Sequence, residues 1–458
     1  KLIAENNQLG RRDSGRKVFV YAFCLLTVVG LASAVLMALL SGVIAHMQGN
    51  PDTAAAFVVV APALLFVPVT NVLKGYFQGN MNMVPSGVTS VIEQLVKLAV
   101  GLTLAYRGMP DVNKAVMGAV WAITVSEFGS LVIMSVVYLV HKKRNRIKNL
   151  RIDRQDLSQI TKQVFALAVP VALGGFVMQL SQVIDSVMVV NLLTVDNGTE
   201  MYGLWTGPVN SMLGLPIALS SGVAVSALPD ITKSYVSGDK ERLARSFNSA
   251  IKLTLVIALP CAFGMIALSA PILKLLYSGL PEHEIFVSSV LLSLSGLSIV
   301  FLALLGTCVS VCQAVGKPYA SVVIVALAIV VKAVVNLVLL PKPEVNIYGA
   351  AISETLCYLF AASCVIIYLN KSVGLRVDGY TCVVKPLAAG MLMTLVITVA
   401  IGFAKDVFSG TLGTLVLIAL CAIVYLSTLW LLKVFDKSEI ALLGKRNKAN
   451  LPAQNVGE

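Results

Sequence analysis

Long, predominantly apolar runs recur along this chain and constrain its fold more than any other feature. A run of about 17 or more such residues can cross the roughly 30 Å hydrocarbon core of a bilayer as an α-helix. Only 13% of the residues are charged, about half of the roughly 25% typical of soluble domains. The sequence therefore predicts an all-α polytopic membrane protein with twelve spans, at 18–47, 55–78, 84–106, 115–140, 163–192, 203–228, 247–272, 286–313, 319–340, 348–370, 381–404 and 409–433.

The distribution of basic residues provides an independent test of this count. Lys and Arg are retained on the cytoplasmic side of short loops, and 25 of the 35 basic residues lie at the termini or in every second loop. A missed or an extra span would disrupt that alternation. We therefore expect a cytoplasmic-membrane protein with both termini inside. The net charge of +12 then reflects this topology and an attraction to anionic membrane lipids, and no nucleic-acid partner is needed.

Two sets of spans resemble each other. Lys97 matches Lys332 at an offset of 235 residues, and Gly118 matches Gly349 at an offset of 231. Parallel repeats of this kind predict two helical lobes with a substrate path between them. The boundaries we predict are 1–141 for the rest of an N-lobe with four spans, 142–162 for a basic cytoplasmic linker, 163–371 for a C-lobe with six spans, 372–433 for two extra spans and 434–458 for a cytoplasmic tail.

The repeat also suggests that two helices would precede this sequence. If spans one to four match spans seven to ten, spans five and six have no counterpart in the first lobe. We therefore expect a full-length protein of fourteen spans, built from two six-helix lobes and two C-terminal helices.

Three segments carry a resemblance to a known family. They are Lys74-Gly-Tyr-Phe-Gln-Gly79 with the following Ile92-Glu93-Gln94; Leu215-Pro216 with Ala227-Leu228-Pro229; and Gln313-Ala314-x-Gly316-Lys317-Pro318. They resemble the stage V sporulation protein B and MurJ-like branch of the MOP superfamily, which has a MATE-like fold. The resemblance implies a fourteen-helix flippase that moves undecaprenyl-diphosphate-linked sugars, such as lipid II, by alternating access. It also implies cavity arginines that this sequence does not contain.

Charged residues inside the spans are the candidates for a transport mechanism. A charge at mid-bilayer costs about 2.5–3.5 kcal/mol on insertion scales, so each one is either functional or paired. Lys97 and its repeat mate Lys332 are candidate diphosphate ligands, although Lys97 could instead form a structural pair with Glu93 four residues earlier. The full set of predicted substrate-binding residues is Lys97, Lys332, Lys74, Gln78, Lys252 and Glu93. For Lys74 and Lys252, snorkelling to the membrane surface is the alternative.

Three carboxylates are candidates for binding a coupling ion, either H+ or Na+. Asp185 ends a polar stripe with Gln179 and Gln182 on the fifth span, whereas Glu127 and Glu354 follow the matched glycines of the two repeats. A hydrogen bond between helices is the alternative role for each of them.

Other classes of function have less support in the sequence. It contains no nucleotide-binding loop of the G-x-x-x-x-G-K-[ST] type and no H-E-x-x-H motif, so we expect no enzyme activity, no cofactor and no metal site. The alternatives that remain are an ion-coupled multidrug exporter of the same superfamily and a membrane scaffold that recruits cell-wall synthesis proteins.

Overall fold

The structure is a computed structural model that describes residues 2–8, 12–47, 50–80, 82, 84–144, 154–193, 198–403 and 410–434. All regular elements in these ranges are helical. The predicted tail after residue 434 and residues 145–153 of the predicted linker lie outside the described residues.

Seven helices occupy the first part of the chain. They are α1 (Leu2–Gln8), α2 (Arg12–Met47), α3 (Ala54–Val60), α4 (Ala63–Gly79), α5 (Val84–Gly108), α6 (Val112–Arg144) and α7 (Arg154–Leu192). A short 3₁₀ turn, Pro51–Thr53, precedes α3.

Eight helices follow. They are α8 (Gly198–Leu204), α9 (Asn210–Val236), α10 (Lys240–Leu276), α11 (Glu282–Ala314), α12 (Pro318–Leu339), α13 (Tyr348–Val373), α14 (Lys385–Phe403) and α15 (Gly410–Leu431). One π-helical turn, Trp205–Val209, precedes α9, and a second, Gly379–Val384, precedes α14.

Ten stretches within the described residues are long and apolar enough to cross a membrane. They coincide with the predicted spans one to four and seven to twelve, so an all-helical, multi-pass membrane architecture is confirmed. The predicted fifth and sixth spans fall on α7 and α9, whose side chains are described only in part. The total of twelve remains a prediction.

The chain divides into two compact units, Lys1–Leu173 and Gly174–Glu458, and the division falls within α7. The lobe, linker and extra-span boundaries predicted from the sequence remain predictions. Helices suit both units because, in lipid, every backbone polar group must find a partner within its own segment.

In the first unit, α5 packs closely along α6. A Cβ atom on Gly118 would lie 2.7 Å from the backbone carbonyl carbon of Leu104, so only glycine allows the two helices to approach this closely. At one end of the unit, the rings of Phe19, Tyr76 and Tyr138 pack together, with the Phe19 and Tyr76 ring centroids 4.7 Å apart.

In the second unit, α12 packs along α13 at the matching glycine. A Cβ on Gly349 would lie 2.8 Å from Cβ of Leu339. The two glycines matched by sequence therefore occupy equivalent helix crossings, one in each unit.

The core of the second unit lies between α10, α11 and α13, where Leu255, Leu291 and Val365 are buried. Helices α14 and α15 pack on α10 around Leu268.

Candidate functional site

The first candidate site is a cluster of charged residues in the first unit, which we call the α5 cluster: Lys74, Glu93, Lys97, Glu127 and Ser130. Its centre is the Glu93 carboxylate on α5. Oε2 of Glu93 lies 3.2 Å from Nζ of Lys74 on α4 and accepts a 2.8 Å hydrogen bond from the hydroxyl of Ser130 on α6. Glu93 therefore joins three helices.

Lys97 is held more loosely than Lys74. Its Nζ lies 4.0 Å from Oε1 of Glu93 and 3.7 Å from Oε1 of Glu127 on α6. The Lys97 side chain is 32% exposed, whereas those of Glu93 and Lys74 are 11% and 13% exposed. Glu93 thus has Lys74 as its closer partner, and Lys97 is the accessible cation of the cluster.

Gln78 lies outside this cluster. Its side-chain amide donates a 2.8 Å hydrogen bond to the hydroxyl of Ser86 at the start of α5. Because Gln78 is exposed, its amide oxygen is accessible at the end of α4.

The second candidate site is a cluster in the second unit, which we call the α12 cluster: Ser181, Asp185, Lys332, Asn336, Ser353, Glu354 and Tyr358. Lys332 of α12 is its centre and is only 2% exposed. Nζ of Lys332 lies 2.5 Å from Oδ2 of Asp185 on α7 and 4.0 Å from Oε1 of Glu354 on α13. It also donates a 3.3 Å hydrogen bond to the Ser181 hydroxyl.

Polar side chains complete this cluster. Asn336, one turn after Lys332, donates its amide to Oδ1 of Asp185 at 3.2 Å and accepts a hydrogen bond from the Ser353 hydroxyl. The Tyr358 hydroxyl donates to Oε1 of Glu354 at 3.1 Å. Burying these charges is tolerable only because they are paired and hydrogen-bonded.

The two clusters share one arrangement. In each, a lysine from the third span of the repeat lies beside a glutamate from the fourth, as Lys97 does with Glu127 and Lys332 with Glu354. They differ in accessibility, because Lys332 is almost completely enclosed and Lys97 is not. The predicted roles of these residues in binding or coupling remain predictions.

Lys252, a predicted substrate ligand, belongs to neither cluster. It is 6% exposed and donates a 3.3 Å hydrogen bond to the Val434 carbonyl, while Lys385 donates to the neighbouring Lys433 carbonyl. Cations at a helix C-terminus stabilise its last carbonyl groups. This geometry favours a role for Lys252 in holding the end of α15 over direct contact with a substrate.

Several cluster residues were not predicted from the sequence. Ser130 lies three residues after Glu127, and Asn336 lies four residues after Lys332. A search for polar residues one helical turn from each charge would have found both. Ser181 likewise lies four residues before Asp185.

A family profile and several curated proteins are similar to this chain. The family profile "MurJ: Lipid II flippase MurJ" matches residues 4–423. The chain is 22% identical over 436 residues to the Bacillus subtilis (strain 168) protein "Lipid II flippase MurJ", over 90% of this chain and 78% of that protein. It is also 22% identical over 263 residues to "Stage V sporulation protein B" of the same organism, over 56% of this chain and 51% of that protein.

Solved structures show the same fold. The structure titled "Lipid II flippase MurJ, inward closed conformation" matches with a TM-score of 0.71 at 15% identity, over 91% of this chain and 83% of that one. An inward-facing MATE family multidrug resistance transporter of the MOP superfamily matches with a TM-score of 0.68, also at 15% identity, over 81% and 84%. Since the family profile covers nearly the whole sequence, the chain belongs to the MurJ lipid II flippase family.

Proposed function

We propose that this protein moves a polyprenyl-diphosphate-linked sugar, lipid II or a close relative, across the cytoplasmic membrane by alternating access. The observation that carries this proposal is the family match over residues 4–423. The accessible Lys97 in a membrane span is consistent with it, because a diphosphate headgroup needs a cation when it leaves water.

The α5 cluster supports an anionic cargo. Its two lysines and two glutamates balance formally, and Lys74 already neutralises Glu93 at 3.2 Å. Lys97 is then free to exchange its 3.7 Å contact with Glu127 for a phosphate oxygen. An ammonium group in a partly desolvated site attracts a phosphate much more strongly than one in bulk water.

The other predicted ligands take supporting roles in this proposal. Lys74 and the Ser130 hydroxyl engage Oε2 of Glu93, so that this carboxylate competes less for Lys97, which lies 4.0 Å from its other oxygen. Gln78 presents an exposed amide oxygen, which can accept a hydrogen bond from a sugar hydroxyl. Lys332 is enclosed by its carboxylate partners, and we assign it to the conformational mechanism instead of to direct contact with the cargo.

A multidrug exporter of the MATE type is the second candidate because the fold is shared. It is less favoured because a cation exporter needs an accessible carboxylate, whereas the accessible charge here is the Lys97 ammonium. A scaffold that recruits cell-wall synthesis proteins is the third candidate, and it predicts that changes within the α5 cluster have no effect.

Complementation tests the proposal. The natural gene that encodes this chain should restore growth to cells depleted of their own lipid II flippase, and lipid II should reach the outer leaflet at a measurable rate. The Lys97→Gln variant should lose much of that activity, whereas Lys274→Gln, which changes a 60% exposed lysine, should not. Growth without any lipid II in the outer leaflet would contradict the proposal.

A further inference from the structure

Helix α10 contains two internal prolines, and each one removes a backbone hydrogen-bond donor. Proline has no N–H group, so the carbonyl oxygen four residues earlier loses its partner in the helix. Pro260 frees the Val256 carbonyl in this way, and Pro271 frees the Ala267 carbonyl. Such prolines are tolerated in membrane spans because neighbouring helices, side chains or water satisfy the freed groups.

The two prolines have different consequences for the helix. Just before Pro271, Leu268 has the non-helical dihedral angles φ −114° and ψ 19°, and α10 is kinked there. Every residue of α10 is described, and Leu268 alone departs from helical angles. The turn around Pro260 therefore stays helical although it lacks one donor.

Tyr425 of α15 supplies the missing donor at Pro260. Its hydroxyl donates a 3.0 Å hydrogen bond to the Val256 carbonyl, from a position 169 residues later in the chain. The Tyr425 side chain is only 3% exposed, so water has little access to this bond. A buried tyrosine hydroxyl also needs a partner of its own. One bond thus satisfies two polar groups that lipid could not hydrogen-bond.

Helices α14 and α15 hold α10 on both sides of this bond. Lys252, one turn before Val256, donates to the Val434 carbonyl just after α15. Phe263, seven residues after Val256, packs so closely on α14 that a Cβ atom on Gly390 would lie 2.5 Å from its ring. Residues spaced by four and seven lie on one face of a helix. The C-terminal helix pair therefore follows one face of α10 across the proline turn.

We propose that Tyr425 is a positioning residue for transport: it holds α10 in its helical form at Pro260 and lets the helix bend there when its hydroxyl leaves the Val256 carbonyl. Bending at this point costs one bond between two helices, whereas bending elsewhere in α10 would break bonds of the helix itself. The role in transport rests on the function proposed above. The hydrogen bond and the hinge do not.

Pro260→Ala separates a hinge from a purely structural contact. Alanine returns the N–H group that the Val256 carbonyl lacks, and it has the highest helix propensity, so α10 becomes stiffer at this turn. The melting temperature should equal or exceed that of the wild type, whereas lipid II flipping should fall several-fold. A contact that only stabilised the fold would leave flipping normal in this variant.

A double-mutant cycle tests the hydrogen bond. Tyr425→Phe removes only the hydroxyl and should lower the melting temperature in detergent by a few degrees, because a buried acceptor loses its donor. In the Pro260→Ala background it should have much less effect, since the Val256 carbonyl then has a donor in its own helix. In the Pro271→Ala background it should keep its full effect, since that proline frees a different carbonyl.

The control for the substitution itself is Tyr319→Phe, at a 60% exposed position, which should leave the melting temperature unchanged. Equal losses from Tyr425→Phe in the wild-type and Pro260→Ala backgrounds would overturn the hydrogen bond.

Hydrogen–deuterium exchange tests the hinge without any cargo. In lipid nanodiscs, the backbone amides of residues 257–264 should exchange several-fold faster in Tyr425→Phe than in the wild type, because the freed turn opens more often. Adding Pro260→Ala should restore slow exchange, and α12 should be unaffected throughout. Unchanged exchange at 257–264 in Tyr425→Phe would overturn the hinge.

A flipping assay at equal membrane abundance tests the role in transport. Tyr425→Phe and Pro260→Ala should each lower lipid II flipping several-fold, because the first leaves α10 too loose and the second too stiff. The double variant should recover the melting temperature but not the flipping. Normal flipping by Pro260→Ala would overturn the positioning role. A wild type that does not flip lipid II would contradict the proposed function and this role with it, whereas the exchange data would still decide the hinge.

Discussion

Lys332 reaches from α12 to Glu354 on α13, with its Nζ 4.0 Å from the carboxylate. The first unit contains the same relationship, because Lys97 of α5 lies 3.7 Å from Glu127 of α6. The repeat detected in the sequence therefore extends to a pair of charged groups. The two glutamates are similarly buried, but the lysine of the first pair is partly accessible and that of the second is enclosed. We propose that the first lysine binds cargo and that the second acts in conformational control.

The enclosed position of Lys332 predicts a large effect on stability. Removing one partner of a buried ion pair leaves an uncompensated charge and costs about 3–5 kcal/mol. Lys332→Gln should therefore lower both the melting temperature and the membrane abundance of the protein. The double variant Lys332→Gln with Asp185→Asn should recover much of this loss, as a double-mutant cycle would show.

Lys274 provides the matched control for this experiment. It pairs with Glu282 at 3.7 Å on the surface, and such pairs contribute about 0–1 kcal/mol. Lys274→Gln should leave the melting temperature nearly unchanged. A Lys332→Gln variant as stable as the wild type would show that the α12 cluster is not a buried ion pair in the native protein.

Asp378 gives a pH-dependent prediction outside the membrane spans. Hydrogen bonds from the Thr381 hydroxyl and from the Tyr380 and Thr381 backbone N–H groups hold the pKa of Asp378 below its ordinary value of 3.8. A lowered pKa stabilises the fold at pH values above 3.8, and this contribution is lost as the pH falls through the folded-state pKa.

Asp378→Ala should therefore destabilise the protein by about 1 kcal/mol at neutral pH, the usual effect of losing a helix N-cap. Thermal unfolding in detergent should show the difference from the wild type shrinking in acid. Asp378→Asn keeps a hydrogen-bond acceptor that does not titrate. The stability of this variant should therefore lack the pH-dependent contribution of the Asp378 carboxylate. An Asp378→Ala deficit that stays constant into acid would rule out the capping carboxylate as its source.

The sequence predicted the helices better than the contacts between them. Apolar length alone located the ten described spans, and the Gly118–Gly349 match identified two equivalent helix crossings. The sequence also suggested Lys97 as a partner for Glu93, since the two are four residues apart. In the structure, Lys74 lies closer to Glu93, because the crossing of α4 and α5 decides which lysine reaches it.

The α12 cluster shows the same limit over a longer distance. Asp185 and Lys332 are separated by 147 residues, and no periodicity within one helix can show that they meet. The sequence does place both charged residues within apolar spans, where an unpaired charge is costly. That cost identified each residue as a candidate but did not identify its partner.

The topology can be tested at the two ends of α10. This helix has 37 residues with a kink at Leu268, and its contour of about 55 Å at 1.5 Å per residue is long enough to cross a core of roughly 30 Å. We propose that its basic first turns are cytoplasmic, as are both termini of the chain. A cysteine at Gly279 should then react with an impermeant thiol reagent in intact cells, and one at Ser237 should react only after permeabilisation.

The parent protein, with its eight native cysteines, gives the background labelling for this test. Labelling of the Ser237→Cys variant in intact cells, together with protection of Gly279→Cys, would invert the proposed orientation.

The cargo prediction depends on Lys97, the accessible cation of the α5 cluster. Lys97→Gln should lower lipid II flipping about tenfold, because a hydrogen bond to a charged group contributes about 1.5–3 kcal/mol and 1.4 kcal/mol corresponds to a factor of ten. Lys97→Arg keeps the charge and should retain part of the activity. Arginine still differs in shape and hydrogen-bonding geometry, so recovery should be incomplete. The measurement is lipid II flipping in a flippase-depleted strain at equal membrane abundance. Lys274→Gln is the control. Normal flipping by Lys97→Gln would remove Lys97 from the diphosphate site and make the cation-exporter alternative the better one.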